Sequence, residues 1–281
     1  MISAERLTLA LAALLLFSPL TRASLVSVAT ASWTSTYAPS AKRNGVDYWS
    51  ENDYWTGLAQ NTPTKTSNSS GSLVSDFVLG GNFSFSGNFR PTYANNNGCI
   101  GSNDNSCNDN DILGLVFGWQ DQNNHYRLGW SQGGLSDITG RTGLFLIREV
   151  NGVSNTLLAW ENLFWQDDVL YNFTIRRLGE EVSVMLRGAS ARNTVGTQSA
   201  NTREGDPQLT NWSGVDFSLI DTRFLAGRVG VYTESQTAVF SSLQVEGRVI
   251  PLPATFSLVG LGLLLLGYQI LTGSKKFPNT R

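Results

Sequence analysis

Apolar and polar positions from about Phe77 to Val245 come in short runs separated by Gly, Asn and Asp, with almost none of the spacing of a helix. Phe77-Val78-Leu79 and Asn82 to Ser86 read as strands around Gly80-Gly81. Ile112 to Trp119 is a continuous apolar run, which suits a strand buried on both faces. His125 to Trp130 follows the polar turn Asp121-Gln122-Asn123-Asn124. Leu144 to Val150 and Thr156 to Trp160 flank Asn151-Gly152, the residue pair of a type I′ hairpin. Tyr171, Phe173 and Ile175 alternate with polar residues, and Leu178-Gly179-Glu180-Glu181 turns the chain into Val182 to Leu186. Arg228 to Thr233 and Ala238 to Val245 form a last pair. Residues 190–214 read as a long polar loop, and 24–71 as the irregular start of the same domain. Such spacing predicts an all-β sandwich or barrel in one domain, residues 24–248.

The two ends break this pattern. Residues 1–23 carry Arg6, a short apolar core from Leu7 to Phe17 and Thr21-Arg22-Ala23, as a secretory signal does. A buried N-terminal helix is the plainer alternative. Residues 249–281 form a tail in which Ala254 to Leu271 is 18 residues without a charge. At 1.5 Å per residue this reaches about 27 Å, enough to cross a bilayer as a helix. Lys275, Lys276 and Arg281 follow, which would keep the C-terminus cytoplasmic and the main domain outside. A core helix would show a polar face, and this segment shows none.

Charge narrows the partners. Residues 24–250 hold 15 Lys and Arg against 21 Asp and Glu, a net charge of −6. Nucleic-acid binding needs a basic face, so that class is set aside. The two cysteines, Cys99 and Cys107, have seven residues between them in one loop. In an exported protein that spacing suggests a disulfide. The load of 8 Trp, 8 Tyr and 14 Phe is enough to fill a core between two sheets.

Four blocks resemble the C-terminal domain of thrombospondins. Ser75 to Phe85 resembles an early strand of that family, and Asp109-Asn110-Asp111 leading into Ile112 to Gln120 resembles its acidic run and apolar strand. Tyr126 to Gln132 is similar to the next strand. Asp221, Gly227 to Tyr232, Ser235-Gln236 and Val239 to Leu243 are similar to its closing strands. The blocks keep the family's order over about Ser72 to Glu246. The resemblance implies a two-sheet antiparallel jelly-roll sandwich, concanavalin A-like and lectin-type, with bound calcium. The tail resembles a second family. Pro251-Leu252-Pro253-Ala254, the apolar span and a short basic end look like a PEP-CTERM sorting signal in its Pro-Leu-Pro-Ala variant. That implies an exosortase-type sorting enzyme as partner, transit through the inner membrane, and a final place at the cell surface or in the extracellular matrix.

The Asn/Asp-rich loop is the leading candidate for chemistry, since ten of the 17 residues from Asn95 to Asp111 are Asn or Asp. Calcium takes 6–8 hard oxygen ligands, and Asp109 and Asp111, with Asp104 and Asp121, have the right side chains. A solvated turn-rich loop uses the same residues. Trp119, Trp130, Trp160 and Trp165 offer flat apolar faces to a sugar ring, or fill the core. Retaining or inverting glycosidases need two opposed carboxyl groups. Glu180-Glu181 and Asp167-Asp168 are adjacent pairs without that spacing, Glu161 has no partner, and His125 is the lone histidine. The expectation is therefore a non-enzymatic binding protein for polysaccharide or another surface protein. A glycan hydrolase on the same fold and a purely structural matrix protein are the alternatives.

Overall fold

The computed structural model describes residues 24–36, 42–43, 46–47, 55–65, 71–92, 112–131, 143–166, 168–193, 208–210, 212–234 and 236–250. The signal segment, the apolar span 254–271, the Pro251–Ala254 motif, Cys99, Cys107, Asp104, Asp109 and Asp111 lie outside the described residues. The sandwich belongs to a unit that ends at Val249.

The main strands are β1 (Ser24–Val26), β2 (Thr34–Thr36), β3 (Gly71–Val74), β4 (Val78–Pro91), β5 (Ile112–Asp121), β6 (Asn124–Ser131) and β7 (Leu144–Val150). They continue as β8 (Val153–Trp160), β9 (Tyr171–Leu178), β10 (Glu181–Gly188), β11 (Val215–Ile220), β12 (Ala226–Glu234) and β13 (Ala238–Ile250). Sheet one runs β8-β7-β6-β5-β12-β3-β2, and sheet two runs β11-β10-β9-β4-β13-β1. The registered neighbours in both are antiparallel. β12 joins the layers: Ala226 and Gly227 pair with β4, and Gly230 to Glu234 pair with β5. Two short 3-10 turns, Thr30–Ser32 and Leu58–Gln60, are the helical pieces among the described residues. No helix among those residues is long and apolar enough to cross a membrane.

Alternation decides what lies between the sheets. Leu113, Leu115 and Phe117 of β5 face Phe85 and Phe89 of β4 and Phe173 and Ile175 of β9 in one cluster with Leu128 and Trp130 of β6. Rings interlock across the gap, where Trp130 meets Tyr171 edge-on at 4.7 Å and Phe89 at 6.3 Å, and within sheet two, where Phe85 meets Phe173 at 5.0 Å. Fully burying such a side chain is worth about 1.5–3 kcal/mol, and each well-set ring pair adds about 0.5–1.5. Trp160 on the edge strand β8 touches Phe217 on the edge strand β11 at 5.0 Å, closing the open side of the sandwich.

The hairpin forms as its residues require, with φ of 52° at Asn151 and 75° at Gly152, both in the left-handed region. Three readings change. The strands expected around Gly80-Gly81 form one 14-residue strand. The expected loop 190–214 contains Ser190–Asn193 and Gln208–Thr210, which pair with each other, while the first also pairs with Leu163–Phe164. The irregular start supplies β1, which pairs with β13 far along the chain, and β2, which pairs with β3, itself paired with β12. Long-range pairing, which no local pattern encodes, decides all three.

A polar knot ties the sheets together. Tyr126 of β6 donates from its hydroxyl to Asp221 Oδ1 at 2.6 Å, and the Arg223 backbone N–H donates to the same oxygen at 2.8 Å. Arg148 of β7 pairs with Asp221 Oδ2 at 2.5 Å, and Arg177 of β9 donates to the Asp221 carbonyl at 2.6 Å. Burial pushes the Asp221 carboxyl up, but the Tyr126 and Arg223 hydrogen bonds and the Arg148 charge outweigh it and hold it below its ordinary value. Burial and the Asp221 contact push the Tyr126 hydroxyl up. A carboxylate held below its unfolded value stabilises the fold above about pH 4, and that contribution fades as pH falls through the lowered value. Replacing Asp221 by Ala leaves Arg148 without its acid and should cost about 2–3 kcal/mol, since Arg148 is partly exposed. The loss is read as a lower urea midpoint at unchanged slope. Below about pH 4 the variant should lose stability less steeply than the parent.

Candidate functional site

Strand direction sorts the connections by length. At one end lie tight turns: residues 122–123, 151–152 and 179–180, and the segment 221–225. At the other end lie the long connections 92–111, 132–143 and 189–214. The registers place those strand ends together: Ile112 pairs with Ser131 and Glu234, Leu144 with Trp160, and Tyr171 with Gly188 and Phe89. The Asn95–Asp111 segment therefore enters β5 at the loop-bearing end, beside Glu234. Loops on a rigid scaffold are where binding residues collect.

A second feature adjoins that end. Sheet one is buried on its outer face as well as its inner one: Ile112, Val116, Trp119, Phe145, Ile147, Val74 and Tyr232 form their own apolar cluster. Trp119 joins it because Gly118, with φ of 57°, shifts the strand's alternation, as a bulge does. Set among these residues are four ionisable groups, His125, Arg127, Glu149 and Glu234, each at most 7% exposed. Arg127 Nη1 donates to Glu234 Oε1 at 2.9 Å and to the Tyr232 hydroxyl at 2.5 Å, with its guanidinium 4.9 Å from the centre of that ring. Tyr232 also donates to Glu234. Glu149 accepts from Ser154 at 3.0 Å and lies opposite His125 in the register. The two acids are far apart. Glu234 is level with Ser131 of β6, whereas Glu149 is level with His125. Six residues along a strand, at about 3.3 Å each, separate them by roughly 20 Å, beyond the ~9.5 Å limit for flanking one glycosidic bond.

The predicted site residues that the structure describes scatter. Asp121 is exposed in its turn, where Oδ1 accepts from the Asn123 backbone at 2.7 Å and the Asn124 amide at 3.0 Å. Asp121 is the last of the ten residues of β5 and Asp111 precedes the first, so roughly 30 Å of extended chain separates them. Asp121 therefore cannot share an ion with Asp109 and Asp111, whose ligand distances would be about 2.3–2.6 Å. Among the described residues no group of three or more His, Cys, Asp or Glu is placed to hold a metal. Trp130 is a core residue, 1% exposed, with its indole N–H donating to the Leu163 carbonyl at 2.8 Å. Trp165 is also core and donates to the Trp130 carbonyl at 2.9 Å. Both have their faces packed in the interior, where no sugar ring reaches them. Trp119 lies in the outer-face cluster, 4.7 Å from His125, and Trp160 is half-buried on Phe217 at the sandwich edge. Arg127, Glu149, Tyr232 and Glu234 were missed by the sequence reading. A signal existed: charged residues alternate with apolar ones in β6, so one face of a doubly buried sheet had to carry charge.

His125 is buried, and neither ring nitrogen meets hydrogen-bond geometry. Burial first, and the Arg127 charge second, push its pKa down to about 3, weakly opposed by the Asp121 backbone. Because the unfolded chain binds this proton near pH 6.5 and the folded one only near 3, stability is complete above 6.5 and falls as pH drops through that window. The slope should approach 1.4 kcal/mol per pH unit. His125→Gln should flatten it, read as urea midpoints at pH values between about 7 and 4. An unchanged slope would show that His125 is not the group responsible.

No protein-family model and no curated protein matches the chain. Among solved structures it overlaps carbohydrate-binding module CBM66 from Bacillus subtilis at 14% identity and TM-score 0.45, over 70% of this chain and 92% of that one. It overlaps winged bean acidic lectin, complexed with methyl-α-D-galactose, at 14% identity and TM-score 0.41, over 78% and 93%. It also overlaps a Bacillus subtilis protein of unknown function with a galectin-like fold at 9% identity and TM-score 0.41, over 77% and 99%. These are likenesses of two-sheet architecture alone, and no binding residue is carried over from them.

Proposed function

We propose that this chain is an exported cell-surface or extracellular-matrix protein that binds polysaccharide at the loop-bearing end of its sandwich. The observation that supports the reading is the asymmetry of the two ends. Long, polar connections gather at one end of a rigid two-sheet frame, and tight turns close the other. Calcium held by Asp109 and Asp111, with Asp104, would order the Asn95–Asp111 segment, and a Cys99–Cys107 disulfide would close it. A protein ligand at the cell surface would use the same end. The PEP-CTERM-like tail would hand the domain to an exosortase-type enzyme after the apolar span enters the inner membrane. The same frame hosts glycosidases, but the two buried acids of its outer face stand too far apart to act on one bond, which favours binding over hydrolysis.

The test is thermal melting with calcium and with chelator, beside retention of the protein in gels cast with candidate polysaccharides. A site filled at about 100 times its dissociation constant adds about 2.7 kcal/mol, so chelation should lower the melting temperature by several degrees. Asp109→Asn with Asp111→Asn should abolish that difference and reduce retention. Chelation without effect on melting removes calcium from the proposal. Release of reducing ends from a retained polysaccharide would replace binding by hydrolysis.

A further inference from the structure

Exposed apolar side chains are common on proteins, and single ones need no explanation. Here they gather. Leu25, Val153, Leu178, Ile220, Leu225 and Val249 are exposed by 41–69%. The registers bring them to one end of the sandwich, the end of tight turns. Leu178, Glu181 and Ile220 lie in a single row across β9, β10 and β11. Next to Ile220, Asp221 binds Arg148 of β7, the strand that turns through Asn151-Gly152 into Val153. Leu225 gives its carbonyl to the Gly81 N–H, and Asn82 accepts from the Gly179 N–H at 2.8 Å. Gly247 of β13 packs against Phe83 and Leu79, while Leu25 sits opposite Glu246, two and three residues from Arg248 and Val249. Leu170, by contrast, precedes Tyr171 at the loop-bearing end.

The same end is where β13 leaves the sheet. Only Pro251-Leu252-Pro253 separate Ile250 from the uncharged stretch that begins at Ala254. Four residue steps reach at most about 14 Å, so a span starting at Ala254 holds this end within about a headgroup layer or two of hydrocarbon. We propose that the tight-turn end is a membrane-facing surface: Leu25, Val153, Leu178, Ile220, Leu225 and Val249 meet the lipid interface of the bilayer that carries the tail. Exposed Arg223 and Arg248 stand among them, with stems long enough to place their charges among lipid phosphates. The loop-bearing end then points away from the membrane, toward ligand. This inference rests on reading residues 254–271 as a span.

The experiment uses the full chain reconstituted in vesicles of phosphatidylethanolamine and phosphatidylglycerol with brominated acyl chains. Ile220→Trp and Leu170→Trp place a reporter ring at each end, both at exposed positions that leave the core untouched. Circular dichroism checks that each variant keeps its sheet content. With both variants floating with the vesicles, the emission added by Ile220→Trp should be blue-shifted and mostly quenched by the bromine. The emission added by Leu170→Trp should be neither. A chain that floats but shows equal quenching at both ends, or none at residue 220, overturns the surface while leaving the span intact. A blue shift at residue 220 without quenching means that protein, such as a second copy, covers this end instead of lipid. A chain that does not float overturns the span and the surface together.

Discussion

Aromatic and aliphatic side chains interlocked between two antiparallel sheets are the constraint on which the rest of this protein depends. Trp130 of sheet one meets Tyr171 and Phe89 of sheet two across the gap, and the strands that carry them must run in fixed directions for the rings to meet. Once those directions are set, every connection is assigned to one end or the other. The long polar segments fall together at one end and the two-residue turns at the other.

Sheet one carries a second burden. Its strands are buried on both faces, so alternation cannot simply send polar residues to water. Arg127, Glu149, Glu234 and His125 occupy outer positions that a sheet of the ordinary kind would expose. Taking charges out of water is costly unless each finds a partner. Arg127 answers this with Glu234 and the Tyr232 ring, and His125 answers it by staying neutral over Trp119. Asp221 solves the same problem between the sheets, collecting Tyr126, Arg148 and a backbone N–H on one carboxylate. His125 and Asp221 are where acid should first loosen the fold.

The two ends give the molecule a direction. One gathers the Asn/Asp-rich connection and the other polar loops. The other gathers exposed leucine, isoleucine and valine beside the strand that runs toward the apolar tail. On the proposed reading, this division sets apolar groups toward lipid and polar loops outward. The fold supplies it from strand direction alone, without an added element.

Much of the fold was legible in the chain. Alternation in Tyr171 to Ile175, the apolar run Ile112 to Trp119, and Asn151-Gly152 each specify a local conformation, because the side-chain period and the backbone angles act within a few residues. The tail's length and lack of charge are equally local facts. What required the tertiary structure was every relation between distant residues. Asp121 looks like a companion of Asp111 in sequence, yet a ten-residue strand holds them at opposite ends. Trp130 and Trp160 look alike, yet one is core and the other sits at an edge. Glu234 meets Arg127 across more than a hundred residues of chain. Sequence fixes torsion preferences and polarity at each position; only the closing of the sheets decides which positions share a face, an end or a charge.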